Sequence, residues 1–302
     1  MLSKPGGRLK QLYRGPLNWL EETTTGQADV VFVNSKFTSK IFADTFPRLS
    51  AIKPKVLYPS LNTAFFDQPV KLTLADVVGL ALSDESVLFL SINRYERKKN
   101  LGLAVLALAQ LKKILDEKDF AKVHLVMAGG YDTRVEENLQ HFVEIENLVA
   151  ENGLEEKVKA AFNCYFVVHG CKKNGRFYNC VTFQVTLLRS PSDEAKVVLL
   201  QSCTALIYTP ENEHFGIVPL EAMYLGRPVV AANSGGPLET VLHGETGFLC
   251  QPQPQTFASA MATIVNNETR EFNTKCTERV KKLFSFQSFA NQLDECVQSL
   301  SQ

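Results

Sequence analysis

The sequence predicts a doubly wound α/β fold, a parallel sheet covered by helices and followed by C-terminal helices. Three observations carry this. Short β-branched or apolar runs alternate with helical stretches along most of the chain. The runs are continuous rather than alternating, as in parallel strands covered on both faces. The segments that follow four of these runs are rich in charge or glycine, and in such a sheet they gather at the carboxyl ends of the strands, where ligands bind.

Taken in order, strands are expected at 30–33, 56–58, 87–92, 123–128, 185–188, 205–208 and 229–232. Helices are expected at 101–114, 135–149, 194–202, 218–224 and 257–265, with two more from about residue 268 onward. Phe284, Phe286 and Phe289 are expected to anchor that tail to the rest of the domain.

Composition sets bounds. The 302 residues are 45% hydrophobic, enough for a sizeable core. Lys+Arg and Asp+Glu both number 32, so no net charge argues for nucleic acid as a partner. The seven cysteines lack the spacing of a zinc site and read as reduced thiols in a cytosolic environment. One glycosylation tripeptide, Asn267-Glu268-Thr269, is weak evidence for secretion. No run is long enough to span a bilayer, and the basic start of the chain has no apolar stretch after it. Membrane contact must therefore come from surface helices, a partner or a further segment.

One segment departs from the pattern. Residues 158–184 hold Cys164, Cys171 and Cys180 and no readable turn logic. Removing them joins a helix end to the 185–188 strand. Val158-Lys159 can be encoded by a splice-donor-like start, and Phe183-Gln184 by a pyrimidine-rich stretch closing in CAG. The segment reads as a retained-intron insertion or a mispredicted exon.

The candidate site lies in the loops after the strands. Arg94 and Lys99 follow the third run and precede a helix. Two cations beside helix amides suit a diphosphate, whose leaving charge they would stabilise. The bland alternative is a solvated basic loop, and the position after a buried strand favours the diphosphate. Glu213 and Glu221 flank His214-Phe215-Gly216-Ile217-Val218-Pro219-Leu220. Glu213 falls in a loop and Glu221 about one turn into a helix, where two carboxylates can accept hydrogen bonds from sugar and ribose hydroxyls. Glu221 can equally be a partner for the helix dipole. Gly216 permits close backbone approach, Pro219 suits a first helical turn, and His214 is a candidate ligand contact. Gly129-Gly130 and Gly235-Gly236 each fit two readings, a plain turn or a loop that opens backbone amides to a ligand. His124 and His243 read as structural or surface residues.

The string from Glu213 to Met223 resembles the E-x7-E motif of the retaining GT-B glycosyltransferases, and 93–100, 128–132 and 233–239 resemble the other donor-site loops of that family. More narrowly, 13–19, 91–100 and 212–223 are similar to the dolichol-pathway α-1,3/1,6-mannosyltransferases. The likeness runs along the chain except for 158–184. It implies a Rossmann-like donor domain and transfer of mannose, with retention, from GDP-mannose to the lipid-linked oligosaccharide Man1GlcNAc2-PP-dolichol, first α-1,3 and then α-1,6. It implies work at the cytosolic face of the endoplasmic reticulum membrane, with no metal and no cofactor. Arg94 and Lys99 would hold the GDP diphosphate, Glu213 the mannose and Glu221 the ribose. Backbone amides around Gly216, Ile217 and Val218, beside Phe215, would meet phosphate or sugar.

The resemblance also divides the chain. Residues 1–60 would be the remnant of an N-terminal acceptor domain with the interdomain segment, 61–283 the nucleotide-sugar donor domain and 284–302 a C-terminal helix. A donor domain without its acceptor wall is expected to show little or no transfer. The alternative is a non-catalytic nucleotide-sugar-binding or interaction protein.

Overall fold

Five of the apolar runs read from the sequence are the buried centre of one parallel sheet. In the computed structural model, which describes residues 8–79, 83, 85–154, 160–161, 184–266 and 271–300, the chain forms two units. One comprises Met1–Ser60 with Phe286–Gln302, the other Leu61–Ser285.

The first unit holds helix α1 (Arg8–Thr25), strand β1 (Phe32–Val33), helix α2 (Lys36–Thr45) and strand β2 (Lys55–Val56), which pairs in parallel with β1. Ser35 caps α2: its hydroxyl accepts the Thr38 amide at 2.9 Å and satisfies one of the orphan donors of the helix start. The closing helix, Phe286–Leu300, belongs to the same unit. Lys55 Nζ donates to Cys296 Sγ on that helix at 3.2 Å.

The second unit runs β3 (Val87–Ile92), α3 (Gly102–Ile114), β4 (Val123–Gly129), α4 (Glu136–Glu151), β5 (Ala160–Ala161), β6 (Val185–Arg189), α5 (Asp193–Ser202), β7 (Ala205–Tyr208), α6 (Ile217–Tyr224), β8 (Val229–Ala232), β9 (Gly247–Cys250), α7 (Pro254–Val265) and α8 (Phe272–Leu283). All sheet pairings are parallel, in the order β5-β6-β4-β3-β7-β8-β9. The doubly wound α/β expectation holds. Helix α3 is apolar on nearly every side, from Leu103 to Leu111, because it lies between the sheet and α7.

The order decides where the site lies. From β3 the chain winds outward through β4 to β6, then α5 returns it to β7 on the other side of β3. The loops leaving β3 and β7 therefore part at the switch point, the crevice where such sheets bind ligands.

Strand β9 was not among the expected strands. Its four residues, Gly-Phe-Leu-Cys, follow a Gly-Glu-Thr turn, and pairing with β8 makes them a strand. The tail anchors divide. Phe284 is buried, its ring 5.9 Å from that of Phe215, and its carbonyl accepts the Leu61 amide at 2.9 Å. Phe289 is half-buried. Phe286 is 70% exposed at the start of the closing helix and is not the buried anchor expected. The proposed insertion, with Cys164, Cys171 and Cys180, lies outside the described residues except for β5 and Gln184, as does the Asn267 tripeptide.

Candidate active site

The loop after β3 tightens into a short 3-10 turn, Arg97–Lys99, closed by Asn100 in a left-handed conformation (φ 50°). Thr209, just past β7, donates its hydroxyl to the Lys99 carbonyl at 2.8 Å and ties the two diverging loops together. This carries the Lys99 ammonium onto the Glu213 carboxylate, in a short ion pair with side-chain exposures of 14% and 25%. Partial burial strengthens such a pair by limiting solvent screening.

A third loop positions Glu213. Gly236 donates its amide to the Glu213 carbonyl at 2.7 Å, and Ser234 Oγ accepts the Asn212 amide at 2.9 Å. Gly235 has φ 63°, and a side chain there would overlap the Glu213 carbonyl; one on Gly236 would overlap the Phe215 carbonyl. The Gly235-Gly236 pair is thus required by loop-on-loop contact. Gly129 behaves alike: a methyl there would strike the Asn93 carbonyl, while the Gly130 carbonyl accepts the Tyr95 amide at 3.1 Å.

Helix α6 opens at Gly216 (φ 80°), over the ring of Tyr208. Its first turn brings the amides of Ile217 and Val218 to the helix start, and its second carries Glu221, 7% exposed. Lys196 on α5 meets Glu221, with Nζ at 2.7 Å from each carboxylate oxygen. Only Oε1 accepts a hydrogen bond from it; the buried Oε2 has no hydrogen-bond partner. Burial, then the charges of Glu213 and Glu221, hold the Tyr208 phenol far above the usual range.

The other candidates take no part in these two pairs. Arg94 is 61% exposed in its side chain and pairs with Glu96 at 2.7 Å, which also binds Lys98 at 2.9 Å. Phe215 is buried against Phe284, so only its backbone can reach a ligand. His214 is exposed. His124 sits buried with Nε2 2.9 Å from Thr186 Oγ1, and His243 Nδ1 accepts the Leu249 amide at 3.1 Å, both structural as expected. Among the described residues no group of His, Cys, Asp and Glu could hold a metal.

Sequence reasoning passed over Lys196. The available signal was a lysine in the first turn of a helix, where the dipole disfavours a cation and an acidic partner is implied. Thr209 and Ser234 were missed because their partners lie on other loops.

A doubly wound parallel sheet, with Lys–Glu pairs among the segments that follow β3, β6 and β7, is the architecture of a GT-B glycosyltransferase domain. Comparisons agree at each level. The family model for Glycosyl transferases group 1 matches residues 181–283. Among solved structures, sucrose-phosphate synthase from Thermosynechococcus elongatus superposes with TM-score 0.70 at 24% identity, over 99% of this chain and 64% of that one. Anabaena HepE in complex with UDP and glucose gives 0.69 at 21%, over 93% and 66%. These show the fold. The Homo sapiens protein named Alpha-1,3/1,6-mannosyltransferase ALG2 is 46% identical over 99% of this chain and 65% of its own length, and that of Dictyostelium discoideum 40% identical over 99% and 68%. The chain belongs to the Alpha-1,3/1,6-mannosyltransferase ALG2 family, and it spans about two thirds of the length of these relatives.

Proposed function

We propose that this chain supplies the donor half of a mannosyltransferase that moves mannose from GDP-mannose to the lipid-linked oligosaccharide Man1GlcNAc2-PP-dolichol, α-1,3 and then α-1,6, with retention. The observation that carries the reading is the Lys99–Glu213 pair at the switch point, with Glu221 one helical turn beyond it, in a chain of this family.

In this reading the diphosphate approaches Lys99 and the amides of Ile217 and Val218. Arg94 turns from Glu96 to join them. As the bond between the sugar's reacting carbon and the phosphate breaks, charge grows on the leaving diphosphate and the lysine stabilises it in place of a metal. The acceptor hydroxyl attacks on the same face of the sugar. Its proton passes to the departing phosphate oxygen. Glu213 accepts hydrogen bonds from the mannose, and Glu221 from the ribose.

The acceptor would be met at the cytosolic face of the endoplasmic reticulum membrane. Among the described residues no helix is long and apolar enough to cross a membrane. Helix α1 exposes Leu17, Trp19 and Leu20, the residue types that seat a helix in a lipid interface. The domain division expected from the sequence is part of the same proposal: 1–60 from an acceptor side, 61–283 the donor domain and 284–302 a closing helix.

Calorimetric titration of the chain with GDP-mannose tests this, with Glu221→Ala and Arg94→Ala as controls. Binding that both variants weaken supports the donor site. A chain that binds no GDP-mannose would sink it. Transfer to a lipid-linked Man1GlcNAc2 acceptor is read separately. Binding with little turnover is expected of a donor half, because rate depends on holding both substrates together.

A further inference from the structure

We infer that Lys196 is a positioning residue of the donor site, holding the Glu221 carboxylate in the orientation that accepts the ribose hydroxyls of the nucleotide. The inference rests on the reading of Glu221 given above and extends it to a residue on another helix.

The argument begins with burial. Glu221 is 7% exposed, and a carboxylate so placed needs a cation or several donors to stay charged. Lys196 Nζ lies 2.7 Å from both of its oxygens. The lysine is itself three-quarters buried in its side chain, which shields the pair from water and salt. Its position on α5 is unfavourable taken alone: it stands in the first turn, where the helix dipole repels a cation. The Glu221 charge offsets that repulsion, so the pair constrains both helices.

The second part concerns what the pair leaves open. A carboxylate has about four acceptor positions. Lys196 takes one on Oε1, and Oε2 is buried with no hydrogen-bond partner. Oε2 is held by the charge of the ammonium 2.7 Å away without accepting a hydrogen bond, so it keeps acceptor capacity for a ligand's hydroxyl. A vicinal diol brings two hydroxyl donors, which the remaining acceptor positions can take. Lys99 stands to Glu213 as Lys196 stands to Glu221, each lysine from an element outside the loop and helix that carry the glutamates. One pair would face the sugar and phosphate, the other the nucleoside.

The role predicts an effect confined to the ribose, which a merely structural lysine would not produce. The full chain is titrated with GDP and with 2′,3′-dideoxy-GDP, as wild type, Lys196→Met, Lys196→Arg and Glu221→Gln, with melting temperatures taken alongside. Lys196→Met is expected to weaken GDP on the order of tenfold to a hundredfold and to bind the dideoxy nucleotide as the wild type does. Lys196→Arg is expected to recover most of the GDP affinity. Wild type that binds GDP, with Lys196→Met weakening both nucleotides equally or neither, overturns the inference and leaves the donor site standing. Glu221→Gln with unchanged preference for the ribose hydroxyls overturns the reading of Glu221 itself. Wild type that binds neither nucleotide overturns the proposed function, and this inference with it.

Discussion

Lys99 and Glu213 come from loops 114 residues apart and meet as an ion pair across the switch point of the sheet. The two charged groups are in direct contact, so a ligand that enters between these loops meets both. Lys99→Met is expected to weaken GDP-mannose on the order of tenfold to a hundredfold. Glu213→Gln is expected to weaken GDP-mannose more than GDP, since its contact is with the sugar. The double variant should lose less than the sum of the two, because they share one interaction. Calorimetry on the three variants with both ligands checks this. Strict additivity would argue that the pair is incidental.

Gly236→Ala is expected to disturb Glu213 without touching it. The added methyl would overlap the Phe215 carbonyl and break the 2.7 Å hydrogen bond from the Gly236 amide to Glu213. Overpacking of this kind costs about 1–3 kcal/mol. Gly15→Ala is the comparison, since nothing lies within 4 Å of the position and alanine is the better helix former. Melting temperature and GDP-mannose affinity should both fall for Gly236→Ala, and neither should fall for Gly15→Ala.

Stability should decline in alkali. Burial pushes the thiols of Cys203 and Cys276 up to about 12 and that of Cys250 to about 11, from an ordinary 9.0. It holds the Tyr95 and Tyr208 phenols far above their ordinary 10.0. All five are neutral at pH 7 in either state. Above about pH 9 the unfolded chain releases protons that the folded chain keeps, so unfolding becomes easier as pH rises. The contribution is whole below the unfolded values and fades toward the folded ones. Urea unfolding at steps between about pH 7 and 11 should show a level region followed by a decline. A level profile throughout would refute these burial effects.

Residues 158–184 carry a prediction about the message rather than the fold. If they derive from a retained intron, transcripts sequenced across 157–185 should include some that join residue 157 directly to Val185. Uniform presence of the segment in every transcript would end the idea.

Much of the fold was legible because its causes are local. A parallel strand covered on both faces is apolar at nearly every position, and Val87–Ile92, apolar but for Ser91, and Val229–Ala232 record this directly. The two glutamates were legible for the same reason: loop, Gly216, first turn and Glu221 follow one another along eight residues. What could not be read was the company they keep. Lys196 reaches Glu221 only because α5 crosses from β6 back to β7, and Lys99 reaches Glu213 only because β3 and β7 are neighbours in the sheet. Gly235 and Gly236 offered two readings in sequence, and the carbonyls that forbid a side chain there belong to another loop. Strand β9 likewise depends on β8. The amino-acid sequence by itself determined the central strands, the main helices and which loops carry charge, since burial pattern and turn chemistry act over a few residues. The tertiary structure alone decided which charges pair, because that depends on the order of strands in the sheet, and order is set by packing between segments far apart in the chain.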